Sequence, residues 1–549
     1  MTPRLSTLLI SVAALFGGLC ACSGGSTSAH DAGHLDGSHP DGGSSHDASV
    51  DAHKGPTRDG STDGRAMPGD AGAPSDAAIP ADAMAVTLDP VGPHALPPNW
   101  LGVNGANEIG GANNGPGWND PHVPAALKDL GAQSVRYPGG QVANFWNWKA
   151  NDAGGWEETQ VDGSPFIGAT TGPQVNESFD SLKSALPDAA VPVWVLNVLT
   201  WQGQVATPSD MDAMVSDQIA WLRDGAAAGL NVGALELGNE FYLPTTPGNL
   251  PEYIKRFDGG TDYANQMNGW IARLQASFPD ASIAVVGGEP SPPMSATRAT
   301  AWTHEVLSRV HGARALTVHF YTSPEGASEG SATVLDDELA SWDAGSSVVS
   351  AIRDAGFETW FTEFGMNDNT TGPVFAGTWL HGMYVGERLL QFLSTSGVTR
   401  VCLFNFSTDP KASAVYSNTG AIAPDAHATA WQQSAAGGAF ALFGRALAGG
   451  VSVQPLAFAT SATTPLGHPV LAGVRVLSSA GDPQIVIINV TESAYALDIG
   501  SLIASSGHAE TLTQPTLAAV VTETPVPVTT AFHGGVVTVP GYSLVRVTR

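Results

Sequence analysis

Residues 233–240, GALELGNE, form a short apolar run that ends in a glycine and two polar side chains. A run of this length between polar segments is typical of a strand buried on both faces of a parallel sheet. Similar runs recur along the chain, at residues 100–104, 133–137, 192–198, 282–287, 316–321, 359–364 and 400–406. The sequence therefore predicts eight strands of one kind.

Segments with helical periodicity separate these runs. Residues 211–228, 264–278, 300–310 and 379–394 place apolar side chains three and four positions apart, as in an amphipathic helix packed on a sheet. Alternation of strands and helices indicates an α/β fold. Eight such units predict a (β/α)8 TIM barrel, which we assign to residues 86–435.

The pattern changes after Gly437. Short runs rich in Val, Thr and Leu follow, such as 474–478, 484–489 and 535–539, and Gly, Pro and Asp separate them. Helical periodicity is not visible in this segment. We therefore expect a C-terminal β-sandwich domain over residues 436–549, with residues 85–88 as a source of its first strand.

The beginning of the chain has the features of a targeting segment. Arg4 precedes an apolar run over residues 8–19, which is typical of a secretory signal peptide and too short to span a bilayer. Leu19-Cys20-Ala21-Cys22-Ser23 resembles the lipobox of bacterial lipoproteins, and the resemblance implies lipidation at Cys22, with Cys20 as the alternative. Without an Asp after the cysteine, it also implies anchoring at the outer membrane or cell surface. The lipoprotein signal peptide would cover residues 1–22; an ordinary cleaved signal with incidental cysteines is the competing interpretation.

Residues 23–85 contain ten Asp, no Glu and three basic residues among Gly, Ala, Ser and His, a composition that predicts a disordered linker. The whole chain has 23 Lys and Arg against 51 Asp and Glu, a net charge of −28. Such a field repels phosphate backbones, so nucleic acid is excluded as a partner. Beyond the leader only Cys402 remains, and we expect it to be a buried thiol.

The carboxyl ends of the strands carry the candidate catalytic residues, because chemistry in such barrels is built there. Glu240 ends the fourth strand and Glu363 the seventh, on opposite sides of the barrel mouth. Glycoside hydrolysis needs such a pair, one carboxyl as acid/base and the other as nucleophile. Glu289, at the end of the fifth strand, is the strongest rival carboxylate, and we expect it to have a hydrogen-bonding or loop role.

Other polar side chains at the strand ends are candidates for substrate binding: Arg136, Gln141, Asn197, Asn239, His319 and Tyr321. Arg136 is expected to bind the substrate or to orient the nucleophile, and alternatively forms a structural ion pair; His319 is alternatively a core histidine. No cluster of His, Cys or Asp has metal-ligand spacing and no Gly-rich phosphate loop is present, so the sequence predicts neither a metal nor a cofactor.

These residues together resemble those of clan A glycoside hydrolases. The resemblance implies that Glu240, preceded by Asn239, is the acid/base, that Glu363 is the nucleophile, and that Asn239 binds the 2-hydroxyl of the sugar. It also implies that the phenol of Tyr321, in His319-x-Tyr321, donates a hydrogen bond to the nucleophile. The expected partner is a polysaccharide or oligosaccharide.

Within the clan, the segment 135–140 with Asn147-Trp148 resembles α-L-arabinofuranosidases, and Glu236-Leu237-Gly238-Asn239-Glu240 recurs there and in heparanase-like β-glucuronidases. Gln141 replaces the Asn usual in arabinofuranosidases, and the sequence around Glu363 also differs. We therefore expect a retaining, arabinofuranosidase-like glycosidase, with a β-glucuronidase or another clan A glycosidase as alternatives.

Two further alternatives concern the chemistry. An inverting hydrolase needs its carboxyl groups roughly 6.5–9.5 Å apart, against roughly 5 Å for a retaining enzyme. A surface glycan-binding lipoprotein that has lost catalysis would keep the barrel, the tether and the aromatic loops.

Overall fold

The computed structural model describes residues 82–105, 117–140, 142–150, 178–201, 204–243, 252–289, 297–322, 331–366, 375, 377–407, 422–424 and 431–549. The predicted signal peptide, Cys22, Gln141 and the predicted linker up to residue 81 lie outside these residues. The statements below concern the described part.

Strands and helices alternate through the first part of the chain, and strands dominate the second. The strands are β1 (Met84–Leu88), β2 (His94–Ala95), β3 (Leu101–Asn104), β4 (Ser134–Tyr137), β5 (Val191–Val195), β6 (Thr200–Trp201), β7 (Gln204–Val205), β8 (Ala234–Leu237), β9 (Ser282–Val286), β10 (Ala315–Thr322), β11 (Glu358–Met366), β12 (Val398–Leu403), β13 (Ile422–Pro424), β14 (Trp431–Gln433), β15 (Gly450–Phe458), β16 (Leu471–Ser478), β17 (Pro483–Asn489), β18 (Tyr495–Asp498), β19 (Ser506–Thr513), β20 (Val528–His533), β21 (Val536–Val539) and β22 (Ser543–Thr548). The helices are α1 (Val123–Leu130), α2 (Val142–Phe145), α3 (Phe179–Ala185), α4 (Met211–Ala227), α5 (Glu252–Arg256), α6 (Gly260–Ser277), α7 (Thr297–Leu307), α8 (Ser331–Ala340), α9 (Trp342–Asp354), α10 (Trp379–Ser394) and α11 (Ala435–Leu447).

Eight parallel strands close into a barrel in the order β3-β4-β5-β8-β9-β10-β11-β12, and β12 pairs with β3. This confirms the predicted TIM barrel and each of its eight strands. Part of the interior is filled by one large ring among small side chains: Trp360 packs with Val193, Ala234, Ala284 and Ala315. A barrel of this size is packed by side chains and leaves no pore, so the site lies at the mouth.

The second domain is a mixed sheet of ten strands in the order β20-β19-β22-β17-β16-β15-β1-β18-β21, with β2 paired to β15. It encloses a core of its own, which includes Ile485, Leu497, Phe532 and Val545. As expected for residues 85–88, β1 belongs to this sheet, antiparallel to β15 and parallel to β18. The sheet therefore takes a strand from the N-terminal side of the barrel.

The expectation of no helix after Gly437 is wrong, because α11 spans Ala435–Leu447. Its first turn is capped by Ser434, whose hydroxyl accepts from the backbone N–H of Gly437 at 3.0 Å. α11 packs against α10, α1, β17 and β22. All its residues except Arg445 are buried, and all of these are small or apolar, so few polar positions mark it as a helix in the sequence.

Cys402 lies on β12 and is fully buried, as predicted. Burial raises the pKa of its thiol to about 12, so the thiol stays protonated near neutral pH. In the part of the chain that the structure describes, no helix combines the length and the apolar character that a membrane span needs.

Candidate active site

The backbone after β8 turns sharply at the barrel mouth and places Glu240 there. Gly238 has φ +90°, and a Cβ at this position would lie 2.2 Å from the Phe241 ring. Glu240 itself has φ +53°, in the left-handed region that residues with a side chain rarely adopt. Strain of this kind is common where a side chain is held for function.

Glu363 lies within β11, and its carboxylate is held by donors from three other strands. Its Oε1 accepts from Arg136 Nη1 at 2.5 Å and from Asn104 Nδ2 at 3.2 Å. Its Oε2 accepts from the Tyr321 hydroxyl at 2.5 Å, the contact that the sequence resemblance implied. Donors on both oxygens fix the orientation of the Glu363 carboxylate.

Glu240 has different neighbours. Its Oε1 accepts from the Tyr242 hydroxyl at 3.1 Å and lies 2.8 Å from Nδ1 of His319. Burial, and then the charge of Glu240, raise the pKa of Tyr242 well above its ordinary value, so this phenol keeps its proton and donates. His319 Nδ1 also lies 3.5 Å from Glu363 Oε2, so the imidazole bridges the two glutamates.

The two glutamates are close together. One carboxylate oxygen of Glu240 and one of Glu363 lie, with a ring nitrogen of His319, within 4.8 Å of one another. Both side chains are mostly buried, 11% and 5% exposed respectively. The mouth of the barrel thus carries two carboxyl groups in separate hydrogen-bond environments.

Arg136 lies behind this pair and is fully buried. Its Nε and Nη2 donate to the Glu236 carboxylate at 2.9–3.2 Å, and Nη2 also donates to Asn239 Oδ1 at 2.8 Å. Burial alone would lower the pKa of Arg136, but the charges of Glu236 and Glu363 raise it overall. Arg136 therefore positions Glu363 and Asn239 and also forms an ion pair with Glu236. Its expected contact with the substrate stays a prediction.

Asn239 is fixed by a reciprocal pair of hydrogen bonds. Its backbone N–H donates to Asn144 Oδ1 at 3.0 Å, and its backbone carbonyl accepts from Asn144 Nδ2 at 2.8 Å. Its side-chain Oδ1 is held by Arg136, whereas Nδ2 is buried without a protein partner. A buried donor in this state is costly unless a ligand accepts its hydrogen bond.

The side chain of Asn197 forms hydrogen bonds with the backbone of its own loop and of a neighbouring segment. Its Oδ1 accepts from the backbone N–H groups of Leu199 and Thr200, both at 3.0 Å, and its Nδ2 donates to the Trp146 carbonyl at 3.2 Å. The structure thus brings together Glu240, Glu363, Arg136, Asn239, His319 and Tyr321. The substrate-binding roles of Asn197 and of Gln141, which lies outside the described residues, stay predictions.

Three residues of the network were not singled out from the sequence as site residues: Asn104, Asn144 and Glu236. Asn104 ends the first barrel strand, the same position that identified the other candidates. Glu236 is the one charged side chain inside the apolar run of β8, a signal of a buried ion pair. Asn144 follows a strand end in a segment where the sequence pattern gives no orientation.

The same cluster bears on metal binding. Among the described residues, Glu240, His319 and Glu363 form a group whose ligand atoms are close enough to hold a cation. Arg136 already supplies a positive charge beside Glu363 at 2.5 Å. The predicted lack of a metal stays a prediction.

Replacing Glu236 with Gln is expected to lower the free energy of unfolding by about 3 kcal/mol, because it leaves the buried Arg136 undercompensated. The measurement is chemical denaturation. Asp212→Asn is the control, since Asp212 pairs with Arg273 at 3.0 Å on the surface and is 98% exposed. The free energy of unfolding of the control variant is expected to fall by less than about 1 kcal/mol. Equal effects of the two variants would contradict a structural role for the buried pair.

Several solved structures resemble the whole described chain. An α-L-arabinofuranosidase from Thermotoga maritima is 14% identical, with a TM-score of 0.61 over 85% of this chain and 99% of the other. A family 51 α-L-arabinofuranosidase from Bifidobacterium longum is 15% identical, with a TM-score of 0.63 over 86% and 99%. The fold is that of clan A glycoside hydrolases.

A further structure with this clan A fold is a 4-O-α-L-rhamnosyl-β-D-glucuronidase from Fusarium oxysporum, 16% identical, with a TM-score of 0.55 over 85% of this chain and 100% of the other. No protein-family model and no curated protein sequence matches the chain. At these identities the likeness shows the fold alone.

Proposed function

We propose that the protein is a retaining glycoside hydrolase, with Glu240 as the acid/base and Glu363 as the nucleophile. The observation that carries the proposal is the approach of the two carboxyl groups, with one oxygen of each within 4.8 Å. This spacing suits direct attack on the sugar and leaves little room for the intervening water that inversion requires.

The first step forms a covalent intermediate. The Glu363 carboxylate attacks the anomeric carbon, the bond from that carbon to the glycosidic oxygen breaks, and the departing oxygen takes its electron pair together with the proton of Glu240. Arg136, Asn104 and Tyr321 donate hydrogen bonds to the Glu363 carboxylate, so the attacking oxygen is positioned before the substrate arrives.

The second step releases the sugar. Glu240, now ionised, takes a proton from water, the water oxygen attacks the anomeric carbon, and the bond to Glu363 breaks. His319 and Tyr242 contact Glu240 Oε1 and stabilise the carboxylate during this half of the cycle. The net reaction consumes one water and retains the anomeric configuration.

An arabinofuranosidase-like activity on polysaccharide or oligosaccharide fragments is the substrate proposal. The motifs at residues 135–140 and 236–240 support it, as do the arabinofuranosidases among the similar structures. A β-glucuronidase is the second candidate, favoured by the likeness to the Fusarium enzyme. A glycan-binding protein without catalysis is the third.

A panel of 4-nitrophenyl glycosides separates these candidates: α-L-arabinofuranoside, β-D-glucuronide, β-D-xyloside and β-D-glucoside. We expect hydrolysis of at least one of them, with the anomeric configuration of the first-formed sugar retained by NMR. Inverted product would contradict double displacement. Oligosaccharide binding without any hydrolysis would favour the non-catalytic candidate.

We also propose that the protein is exported and held at the outer membrane or cell surface by a lipid on Cys22. The lipobox-like segment and the acidic linker after it support this proposal. Replacing Cys22 with Ala is expected to move the protein from the detergent-extracted membrane fraction to the soluble fraction. Cys20→Ala is the control, expected to leave the membrane fraction unchanged; the reverse result would assign the lipid to Cys20.

A further inference from the structure

Asn144 is a fully buried asparagine of α2, the short helix that follows β4. Its side-chain amide pairs with the backbone of Asn239: Oδ1 accepts from the Asn239 N–H at 3.0 Å, and Nδ2 donates to the Asn239 carbonyl at 2.8 Å. Nδ2 also donates to the Tyr253 hydroxyl at 3.0 Å. An amide nitrogen has two hydrogens, so both donors of Asn144 are used inside the protein.

The backbone groups of Asn239 lie beyond the hydrogen-bond ladder of the barrel. β8 ends at Leu237, where it still pairs with β9, and Gly238 then turns the chain with φ +90°. Buried N–H and carbonyl groups that leave a sheet need another partner, because an unpaired one is costly. The side chain of Asn144 supplies that partner, as the backbone of a neighbouring strand would.

The peptide group that Asn144 holds leads directly to Glu240. The carbonyl of Asn239 and the nitrogen of Glu240 belong to one planar peptide bond, so a hydrogen bond to that carbonyl fixes the plane from which the Glu240 backbone continues. Glu240 leaves this plane at φ +53°, and its own carbonyl accepts from the Leu243 N–H at 2.9 Å. A residue with a side chain keeps this left-handed conformation only where its surroundings hold it.

Asn144 is itself held from both sides. Its backbone carbonyl accepts from the Thr200 hydroxyl at 3.2 Å. The ring of Tyr253 packs edge to face on Phe241, with 5.3 Å between ring centroids, and Phe241 lies against Gly238. Asn144 therefore connects the turn that carries Glu240 to two other segments at the barrel mouth.

We propose that Asn144 is a positioning residue for the acid/base: its amide holds the peptide plane before Glu240 and so aims the Glu240 carboxyl group at the departing oxygen. The inference rests on the proposed glycosidase function. A catalytic group displaced by about 1 Å can cost about 100-fold in rate. Because Asn144 acts through Glu240, its loss should resemble a partial loss of the acid.

The test compares the phenyl and 2,4-dinitrophenyl glycosides of the sugar that the enzyme hydrolyses best. A departing phenolate needs a proton, whereas 2,4-dinitrophenolate needs little protonation. Asn144→Ala is therefore expected to lower kcat/KM about 30-fold for the phenyl glycoside and less than about threefold for the 2,4-dinitrophenyl glycoside. A general loss of structure or of sugar binding would lower both values alike, and that result would overturn the inference.

Asn489→Ala is the matched control. Asn489 is a fully buried asparagine at the end of β17, in the second domain. Its Nδ2 donates to the carbonyl groups of Ser493 and Pro540 at 2.6 and 2.8 Å, and its Oδ1 accepts from the Thr491 N–H at 3.1 Å. Both variants lose a buried amide that binds backbone, so both should lower the midpoint of chemical denaturation. The control should leave the ratio of the two kcat/KM values unchanged; the same change of ratio in both variants would overturn the inference.

Tyr253→Phe decides the matter if Asn144→Ala does not fold. It removes the hydroxyl that accepts from Asn144 and keeps the ring that packs on Phe241. We expect kcat/KM to fall about threefold more for the phenyl than for the 2,4-dinitrophenyl glycoside. With Asn144→Ala unfolded, an unchanged ratio in Tyr253→Phe would overturn the inference.

Glu240→Ala separates a failure of this inference from a failure of the proposed function. On the phenyl glycoside, the double variant of Asn144→Ala with Glu240→Ala is expected to lie within about threefold of Glu240→Ala alone, because the first residue acts through the second. Multiplied losses would overturn this inference alone. Equal losses for both leaving groups in Glu240→Ala, or no hydrolysis of any glycoside in the panel, would overturn the proposed function.

Discussion

Glu363→Gln is expected to reduce kcat by about 10⁴-fold or more while the protein still folds and binds the sugar. An amide of the same shape can still accept the hydrogen bond from Arg136, so the network around the site keeps its geometry. It cannot attack the anomeric carbon, and no covalent intermediate forms. Steady-state kinetics on the most active panel substrate measures the loss, and calorimetry with the released sugar measures binding.

Glu358→Gln is the control for the Glu363→Gln variant. It also replaces a glutamate of β11 with glutamine, but at the end of the strand away from the barrel mouth. It is expected to retain nearly full activity. A stricter test is Glu363→Ala with sodium azide, which enters the space of the lost carboxylate and should give a glycosyl azide of inverted configuration. More than about 1% residual kcat in Glu363→Gln would remove this residue from the nucleophile role.

Glu240→Ala is expected to have a different kinetic signature. Because Glu240 protonates the departing oxygen, the loss should be about 10²- to 10⁴-fold for glycosides with poor leaving groups. For a 2,4-dinitrophenyl glycoside the leaving group needs little protonation, so the first step persists and the covalent intermediate accumulates. Burst kinetics and mass spectrometry of the intact protein follow this accumulation.

Azide distinguishes Glu240 from Glu363 by stereochemistry. In Glu240→Ala, azide should attack the covalent intermediate without base catalysis and give a glycosyl azide of retained configuration. Equal losses for good and poor leaving groups would contradict the acid/base assignment. An inverted azide product here would exchange the roles of the two glutamates.

The local hydrophobic pattern was sufficient to predict the barrel strands. Each strand is buried on both faces and therefore appears in the sequence as a continuous apolar run. α10 was also predicted at its full extent; it is buried almost all around, but polar residues such as His381, Glu387 and Arg388 separate its apolar positions. α11 was missed because its residues are small or apolar except for Arg445, so few polar positions mark it as a helix.

Part of the candidate active site could likewise be predicted from the positions of its residues along the strands. Glu240, Glu363, His319 and Tyr321 end strands of a barrel, and all such ends meet at one mouth, so their proximity follows from the topology. The direction in which each side chain points could not be predicted from the sequence. Whether Arg136 faces a sugar or a carboxylate depends on Glu236, which is 100 residues away in the chain and 2.9 Å away in space.

By itself, the sequence determined the kind of fold and the strand ends that carry acids. These properties depend on burial and on chain order, which leave local traces. Only the tertiary structure decided that Glu240 and Glu363 approach within 4.8 Å and that Arg136 holds Glu363 and Asn239. Such contacts join residues from different strands, and their distances are set by how the barrel closes.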